Sequence, residues 1–559
     1  MEARSSATLE EIREYEKLSG KPFDSKTITH FQWRIRFGVP GTGISNFAEF
    51  ESVLSNLTAL RSIDLGVENC PEGVRMGHIQ IQDILLLIRQ YSQLEKLSLS
   101  GWDFKYFNIN EVLASCPRLH TLDISCIGSV QEVLPNLNPQ MRELCIADSN
   151  ITDDELRALV RQCPNLVSLN VSNCRNLTPE GLKVIAGLLH LHTLFASETS
   201  MNRAALDYIA TFCPLQVLDI SHCQNVFTEL LDCIPRCIHL QSLNISSQGM
   251  VHPERLRAAI GPCLSLRTLI LNECGFINLI IKAQNIFPRG LERLEIEDTE
   301  CCLDWWEVLN GLPNLRLLKM KGLISDDMIQ CALESCRELI TLEIVDSWKN
   351  WCGDFNGDFL PHLVRCPRLE NLIIKGVVFP ENALLSMPEC SRLQKFEIER
   401  CLDRETINEE VLRRFNTLPR TSAAELLHIA NRCKFVSEID VGEVGKGTKI
   451  ADNVLASVFK NCPELKRIRF GEDGIISREQ FFNPGLLTHR LRNLQTKLNV
   501  LKRFDVKCGI GALASCIAAH AYNTFGAIGL IGVCAAGFYF YRQLSKGLVH
   551  WTVKHQVAN

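Results

Sequence analysis

The chain has 559 residues, 46% of them apolar and 22% charged, with a formal charge of -5. That composition is that of a folded chain and gives no footing for nucleic-acid binding. Its 25 cysteines include no CxxC, so paired zinc-ligand spacing is missing and no metal or other cofactor is expected.

The first twenty residues, MEARSSATLEEIREYEKLSG, are polar and carry acids, without the apolar stretch of a secretory signal. A reducing compartment with free thiols is therefore expected. FQWRIRF (31–37) alternates like a strand, and residues 1–54 read as an N-terminal segment ending in a cap for the residues after it.

From residue 55 to 475 one pattern recurs, L-x-x-L-x-L. Its first anchor falls at Leu60 and its last at Leu465, which makes sixteen units at steps of mostly 22 to 26 residues. Longer steps of 34, 30, 43 and 29 interrupt the series. A period near 25 lies in the leucine-rich-repeat range. In LVSLNV (166–171) alternation sends Leu166, Leu169 and Val171 inward and Ser168 and Asn170 outward. Next, TPEGLKVIAGLL (178–189) has helical spacing, with Thr178 suited to the cap and Pro179 to the first turn. One strand and one helix cannot bury both apolar faces alone, but stacked neighbours can. The predicted fold is therefore α/β, a horseshoe solenoid with a parallel concave sheet and convex helices.

Ten cysteines share one register, two or three residues before the first anchor: Cys116, Cys163, Cys213, Cys237, Cys263, Cys336, Cys366, Cys390, Cys433 and Cys462. Cys174, Cys223, Cys274 and Cys401 share a second, three residues past the last strand aliphatic. A residue type that returns at each turn of a stack is a packing element, and free cysteine behaves as a small buried hydrophobe. CCLD (301–304) and CLD (401–403) contain Cys-x-Asp, a nucleophile motif in some bacterial ligases joined to leucine-rich repeats. Both copies fall inside the repeat array, so they are expected to be structural and the protein is not expected to be an enzyme. Asn56, Asn150, Asn170, Asn176 and Asn244 match the glycosylation pattern but sit at repeat positions.

CPNLVSLNVSNCRNLTPEGL (163–182) and ITDDELRALVRQCPNLVSLNV (151–171) resemble the cysteine-containing subclass of leucine-rich repeats, best known from F-box proteins of ubiquitin ligases. The resemblance implies a scaffold that binds another protein, and a substrate-recognition subunit of a ubiquitin ligase is the alternative it raises. No Leu-Pro element that would open an F-box stands in residues 1–50.

The residue between the last two strand anchors is expected to point to the centre of the concave face. That row holds seven acids, Asp64, Asp123, Asp219, Glu295, Glu343, Glu397 and Asp440, against two bases, Lys319 and Arg469. A surface of one sign favours a partner of the other, so a basic protein partner is expected, with Phe195, Ile270 and Ile373 as apolar anchors. A merely solvated sheet face is the plainer reading. DSWKNWCGDFNGDF (346–359) places Trp348 and Trp351 in a lengthened loop, either as a contact site or packed on Trp305 and Trp306. Residues 403–433, DRETINEEVLRRFNTLPRTSAAELLHIANRC, hold two helical patterns.

Residues 476–505 include an amphipathic basic helix: Leu487, Leu491, Leu494, Leu498 and Leu501 share one face. In 506–559 no acid occurs, and 508–541 also lack lysine and arginine. One span needs about 20 apolar residues. His520, Tyr522 and Asn523 divide this run, which reads as a hairpin or as a single span over 524–541. Basic flanks at both ends favour the hairpin, and a buried apolar cap is the alternative. A hydrophobic hairpin beside a binding domain resembles the inclusion-membrane proteins of chlamydia-like bacteria. The expected protein is thus a membrane-associated scaffold with its solenoid in the cytosol, or a soluble cytoplasmic one, and an effector role in a host cell is among its readings.

Overall fold

A computed structural model describes residues 6–8, 28–32, 35–36, 47–68, 78–101, 109–126, 130–131, 133–223, 227–247, 249–276, 287–299, 309, 311–322, 326–346, 357–375, 382–399, 423–440, 452–469, 475–478 and 481. The chain divides into two compact units, Met1–Cys302 and Leu303–Asn559. Both are built from the same repeat of a short strand, a turn and a helical segment.

In the first unit twelve strands form one parallel ladder. It runs from Ser6–Thr8 and His30–Gln32 through Ser62–Asp64 and on, repeat by repeat, to Arg293–Thr299. The first two strands precede the sixteen units legible as leucine anchors. The ladder takes them in because Phe31, 1% exposed, occupies the place that Ile63 and Leu97 hold in the next strands. The second unit stacks six parallel strands from Leu317–Gly322 to Arg467–Arg469, and Ile475–Ser477 adds one antiparallel strand.

The register is that of the leucine pattern. In a three-residue strand such as Ser168–Asn170 the central Leu169 is fully buried and its neighbours are half-buried. All sixteen first anchors are buried, from Leu60 to Leu465. Helical segments close the other side of the core. Asp153–Gln162 buries Leu156, Leu159 and Val160. It begins with a reciprocal cap: the Thr152 Oγ1 accepts from the Glu155 N–H at 3.4 Å, and the Glu155 carboxylate accepts from the Thr152 N–H at 2.8 Å. Thr178 caps Pro179–Leu182 by accepting from the Gly181 N–H at 3.2 Å, with Pro179 in the first turn. Asp153, from the preceding helix, holds that turn by accepting from the Thr178 N–H at 2.9 Å and from its hydroxyl at 2.5 Å.

The cysteines form two ladders between repeats. In the first register the Cys116 thiol donates to the Tyr91 carbonyl at 3.5 Å, Cys163 to Asn138 at 3.6 Å, and Cys213 to Leu188 at 3.5 Å. Cys263 reaches Cys237 at 3.6 Å, Cys366 reaches Cys336 at 3.3 Å, and Cys462 reaches Cys433 at 3.2 Å. Each acceptor occupies the donor's own position one repeat earlier. These carbonyls follow a helical segment and already accept the backbone N–H three residues on, as Cys237 does from Leu240 at 3.0 Å, so the thiol adds a weak second bond from a small apolar side chain. Tyr91 replaces cysteine in its repeat and its hydroxyl donates to the Leu54 carbonyl. In the second register Cys174 donates to Ile146 at 3.3 Å, Cys223 to Ala196 at 3.3 Å and Cys274 to Ile245 at 3.2 Å. Burial pushes the Cys116, Cys163, Cys263 and Cys462 thiols up to about 11, and Cys213, Cys237, Cys336 and Cys366 to about 12. Among the described residues no group of three metal-ligating side chains occurs. Cys302 and Cys401 lie outside the described residues.

Seven consecutive repeats of the first unit place a non-glycine residue in the left-handed region, three positions after the outward strand residue: Cys126, Asp148, Asn173, Glu198, His222, Ser247 and Glu273, with φ of 52–66°. The backbone N–H of each donates to the next repeat, as Asp148 does to the Ser172 carbonyl at 2.9 Å and Glu198 to Ser221 at 2.9 Å. These inter-repeat bonds offset the steric cost of that conformation.

Candidate protein-interaction face

The outward residues form a continuous row because the strands are in register. In the first unit Gln32, Asp64, Ser98, Asp123, Cys145, Asn170, Phe195, Asp219, Asn244, Ile270 and Glu295 are successive cross-strand partners. In the second, Lys319, Glu343, Ile373, Glu397, Asp440 and Arg469 are. Of the candidate contact residues, Asp64, Asp123, Phe195, Asp219, Ile270 and Glu295 thus share one row, and Glu343, Ile373, Glu397 and Asp440 share another. Trp348 and Trp351 lie outside the described residues, as do Trp305 and Trp306.

The acids of these rows have partners. Asp64 Oδ1 accepts from the Gly66 N–H at 3.1 Å and Oδ2 from the Gln32 amide at 3.0 Å. Asp123 Oδ1 accepts from the Ser125 N–H at 3.1 Å and Oδ2 from the Ser98 hydroxyl at 3.2 Å. Asp219 repeats the arrangement with the Ser221 N–H at 3.0 Å and the Asn244 amide at 2.9 Å. Asn170 and Asn244 hold the same turn through Ser172 and Ser246, at 2.9 and 3.1 Å. The Asp/Asn preference of the row is therefore first a turn preference: a short side-chain oxygen caps the backbone two residues on.

The remaining acids lie beside bases. Glu295 is buried and accepts from Arg293 Nε at 2.6 Å. Glu343 lies 3.7 Å from Lys319, and Asp440 lies 3.6 Å from Arg469. Glu397 meets Lys395 at 2.6 Å and Lys375 at 3.0 Å. Burial works against its charge, but hydrogen bonds from the two ammonium groups hold its carboxyl below the ordinary value. Lys375 and Lys395 stand outside the row that leucine spacing marks, because the pairing joins neighbouring rows and neighbouring strands. Cys145 is half-buried in the first row, where burial and then the Asp123 charge push its thiol up to about 12. It is not poised as a nucleophile.

Between strands Ser168–Asn170 and Thr268–Ile270 the outer face is nearly free of charge. Ser168, Thr193, Val217, Ser242 and Thr268 form the neighbouring row, and Phe195 and Ile270 stand half-exposed among hydroxyls and amides. Such a surface offers an aromatic and an aliphatic contact within a field of short hydrogen-bonding groups.

Comparison with known proteins agrees with this architecture. The family model described as "Leucine Rich repeat" matches residues 162–186. BTB/POZ domain-containing protein FBL11 of Arabidopsis thaliana is 29% identical over 30% of this chain and 18% of its own. F-box/LRR-repeat protein 9 of Arabidopsis thaliana is 26% identical over 21% of this chain and 48% of its own. The chain therefore spans at most about half the length of these two relatives. Among solved structures, the complex of Rad7 and Elc1 in yeast aligns with a TM-score of 0.40 at 14% identity, covering 66% of this chain and 83% of the other. LIC12759 of Leptospira interrogans aligns with a TM-score of 0.35 at 17% identity, covering 75% of this chain and 98% of that one. Repeat period and strand register make this a leucine-rich-repeat solenoid, which the family match at residues 162–186 supports, and its sequence is similar to part of F-box/LRR-repeat protein 9.

Proposed function

We propose that the protein is a non-catalytic scaffold that recognises a partner protein on the outer sheet face. What supports this best is the in-register row in which Phe195 and Ile270 stand half-exposed, with Asn170 and Asp219 beside the first and Asn244 and Glu295 beside the second. The acids expected to attract a basic partner are engaged with backbone N–H groups, amides or cationic side chains. Selectivity on this reading comes from apolar and hydrogen-bonding contacts more than from net charge. Residues 506–559 serve as the membrane tether, so that binding raises the partner's local concentration at a cytosolic membrane surface. Those residues lie outside the described ones. Among the described residues no helix is long and apolar enough to cross a membrane.

The test is a photo-crosslinking residue placed at position 195 or 270 of the full chain in cells, with position 157 on a helix as control. Adducts to one protein from the sheet positions alone would support the reading, and equal labelling from all three would end it. The likeness to F-box/LRR proteins favours a second reading, a substrate-recognition subunit of a ubiquitin ligase. Co-purification with a Skp1-type adaptor would support that alternative. Loss of membrane retention on removing residues 506–559 would support the tether.

A further inference from the structure

Among the described residues, the repeat nearest the C-terminus ends against a segment that is not a repeat. Its helix is Asp452–Asn461 and its strand is Arg467–Arg469. The five strands before it in the second unit each have a parallel neighbour on the side of the following repeat. Arg467–Arg469 instead pairs with Ile475–Ser477, which runs antiparallel and sets Ile476 opposite Ile468. The stretch IISREQF (475–481) holds neither a leucine anchor nor a thiol.

This segment nevertheless supplies what one repeat supplies to the one before it. A first-register thiol lies against two carbonyls of its predecessor, one at the matching position and one three residues earlier. Cys263 does so with Cys237 at 3.6 Å and Ile234 at 3.7 Å, and Cys366 with Cys336 at 3.3 Å and Leu333 at 3.6 Å. Cys462 does so with Cys433 at 3.2 Å and Ala430 at 3.3 Å. One repeat further on, the corresponding carbonyls are those of Cys462 and Phe459. Arg478 Nη1 donates to both, at 3.2 and 3.1 Å, and to the Pro463 carbonyl at 2.8 Å. The carbonyl after the first anchor likewise accepts an N–H at the start of the next strand, as Gln394 does from Ser437 and Ser437 from Lys466, both at 2.8 Å. Lys466 in turn accepts from the Arg478 N–H at 2.8 Å. The Phe481 ring lies 5.4 Å from that of Phe459, which is fully buried. A strand edge, a pair of carbonyls and an apolar end are thus taken together. A guanidinium suits the carbonyl pair, because its fixed fork of N–H donors can bridge groups that a thiol reaches with one weak donor. Repeats are held by their neighbours, so a terminal repeat needs such cover.

We propose that Ile475–Ser477, Arg478 and Phe481 form a stop strap: they stand in for a further repeat, with the Arg478 guanidinium in the place of its thiol, and hold the repeat before them closed. The test is hydrogen–deuterium exchange, read by mass spectrometry, on the full chain and on its Arg478→Ala and Phe481→Ala variants. Lys460→Ala, exposed on the helix of the same repeat, is the control. In both strap variants the amides of residues 453–469 should exchange roughly tenfold faster or more than in the unaltered chain, and in the control they should not. Amides of Ser168–Asn170 in the first unit should keep their rate, which shows that the array remains folded. Unchanged exchange over 453–469 in both strap variants would overturn the proposal. Loss of protection in both units together would overturn it as well, because a stop at one end acts first on the repeat it covers.

Discussion

The Cys462 thiol donates to the backbone carbonyl of Cys433 at 3.2 Å, and Cys433 stands in the same place one repeat earlier. Cys366 does the same to Cys336 at 3.3 Å. A cysteine here fills a small apolar site and adds a second donor to a carbonyl that already accepts a backbone N–H. Replacing Cys263 by alanine should therefore destabilise the first unit by about 1–2 kcal/mol, from the lost sulfur contact and the lost thiol hydrogen bond, while the Cys237 carbonyl keeps the Leu240 N–H at 3.0 Å. Urea titration of the variant measures this, and an unchanged midpoint would mean the ladder is incidental.

The same thiols give a dependence on pH. Burial raises their folded-state pKa from 9.0 to about 11 or 12, so above pH 9 the unfolded chain loses protons that the folded chain keeps. Stability is then fully present below pH 9 and is lost as pH climbs through 11 and 12. Urea midpoints measured across that window should fall steadily. In the native protein near neutral pH, iodoacetamide should label the exposed Cys126 while the ladder cysteines stay protected, as read by peptide mass spectrometry.

A methyl group at position 181 would meet Asp153 Oδ1 at 1.8 Å. Asp153 would have to leave its hydrogen bonds to Thr178, so Gly181→Ala should cost about 1–3 kcal/mol. A smaller effect, below about 0.5 kcal/mol by urea titration, would show that the carboxylate can swing aside without loss.

Glu198 lies at φ 52°, in the left-handed region, and its side chain pairs only at the surface with Arg175 at 3.2 Å. Glu198→Gly removes the steric cost and gives up an exposed ion pair worth little, so stability should rise by up to about 1 kcal/mol. A fall in the unfolding midpoint would contradict the assignment of strain to this position.

The acids of the sheet face should separate into two kinds. Asp219→Ala removes acceptors from the Ser221 N–H and the Asn244 amide and should cost about 1–2 kcal/mol. Glu343→Gln, beside Lys319 at 3.7 Å, should change stability by less than about 0.5 kcal/mol. Parallel denaturation curves decide whether the two behave differently.

What is legible in the sequence is what repeats at short range. Leucine spacing sets the strand register, so spacing alone names the outward row from Asp64 to Glu295. Thr178 and Pro179 announce a helix start because capping is local. Interactions between repeats are not legible. The acceptor of Cys163 is the carbonyl of Asn138, 25 residues away, and carbonyls leave no trace in a pattern of side chains. The acids of the row look like a charged surface because nothing in an isolated Asp219 reveals that a backbone N–H and an amide already occupy it. The strands Ser6–Thr8 and His30–Gln32 escape the leucine count because Phe31 stands where the pattern would have leucine.

The thiol ladders run one way only: each cysteine of the first register described above gives a hydrogen to the repeat before, whatever residue holds the matching place there. Chemically this is head-to-tail joining, like links in a polymer. A segment of about 25 residues could be duplicated or excised in mid-array and the seam would still find matching groups on both sides. Length is therefore a quantity this architecture can vary by whole links, with the composition of the outer face changing link by link.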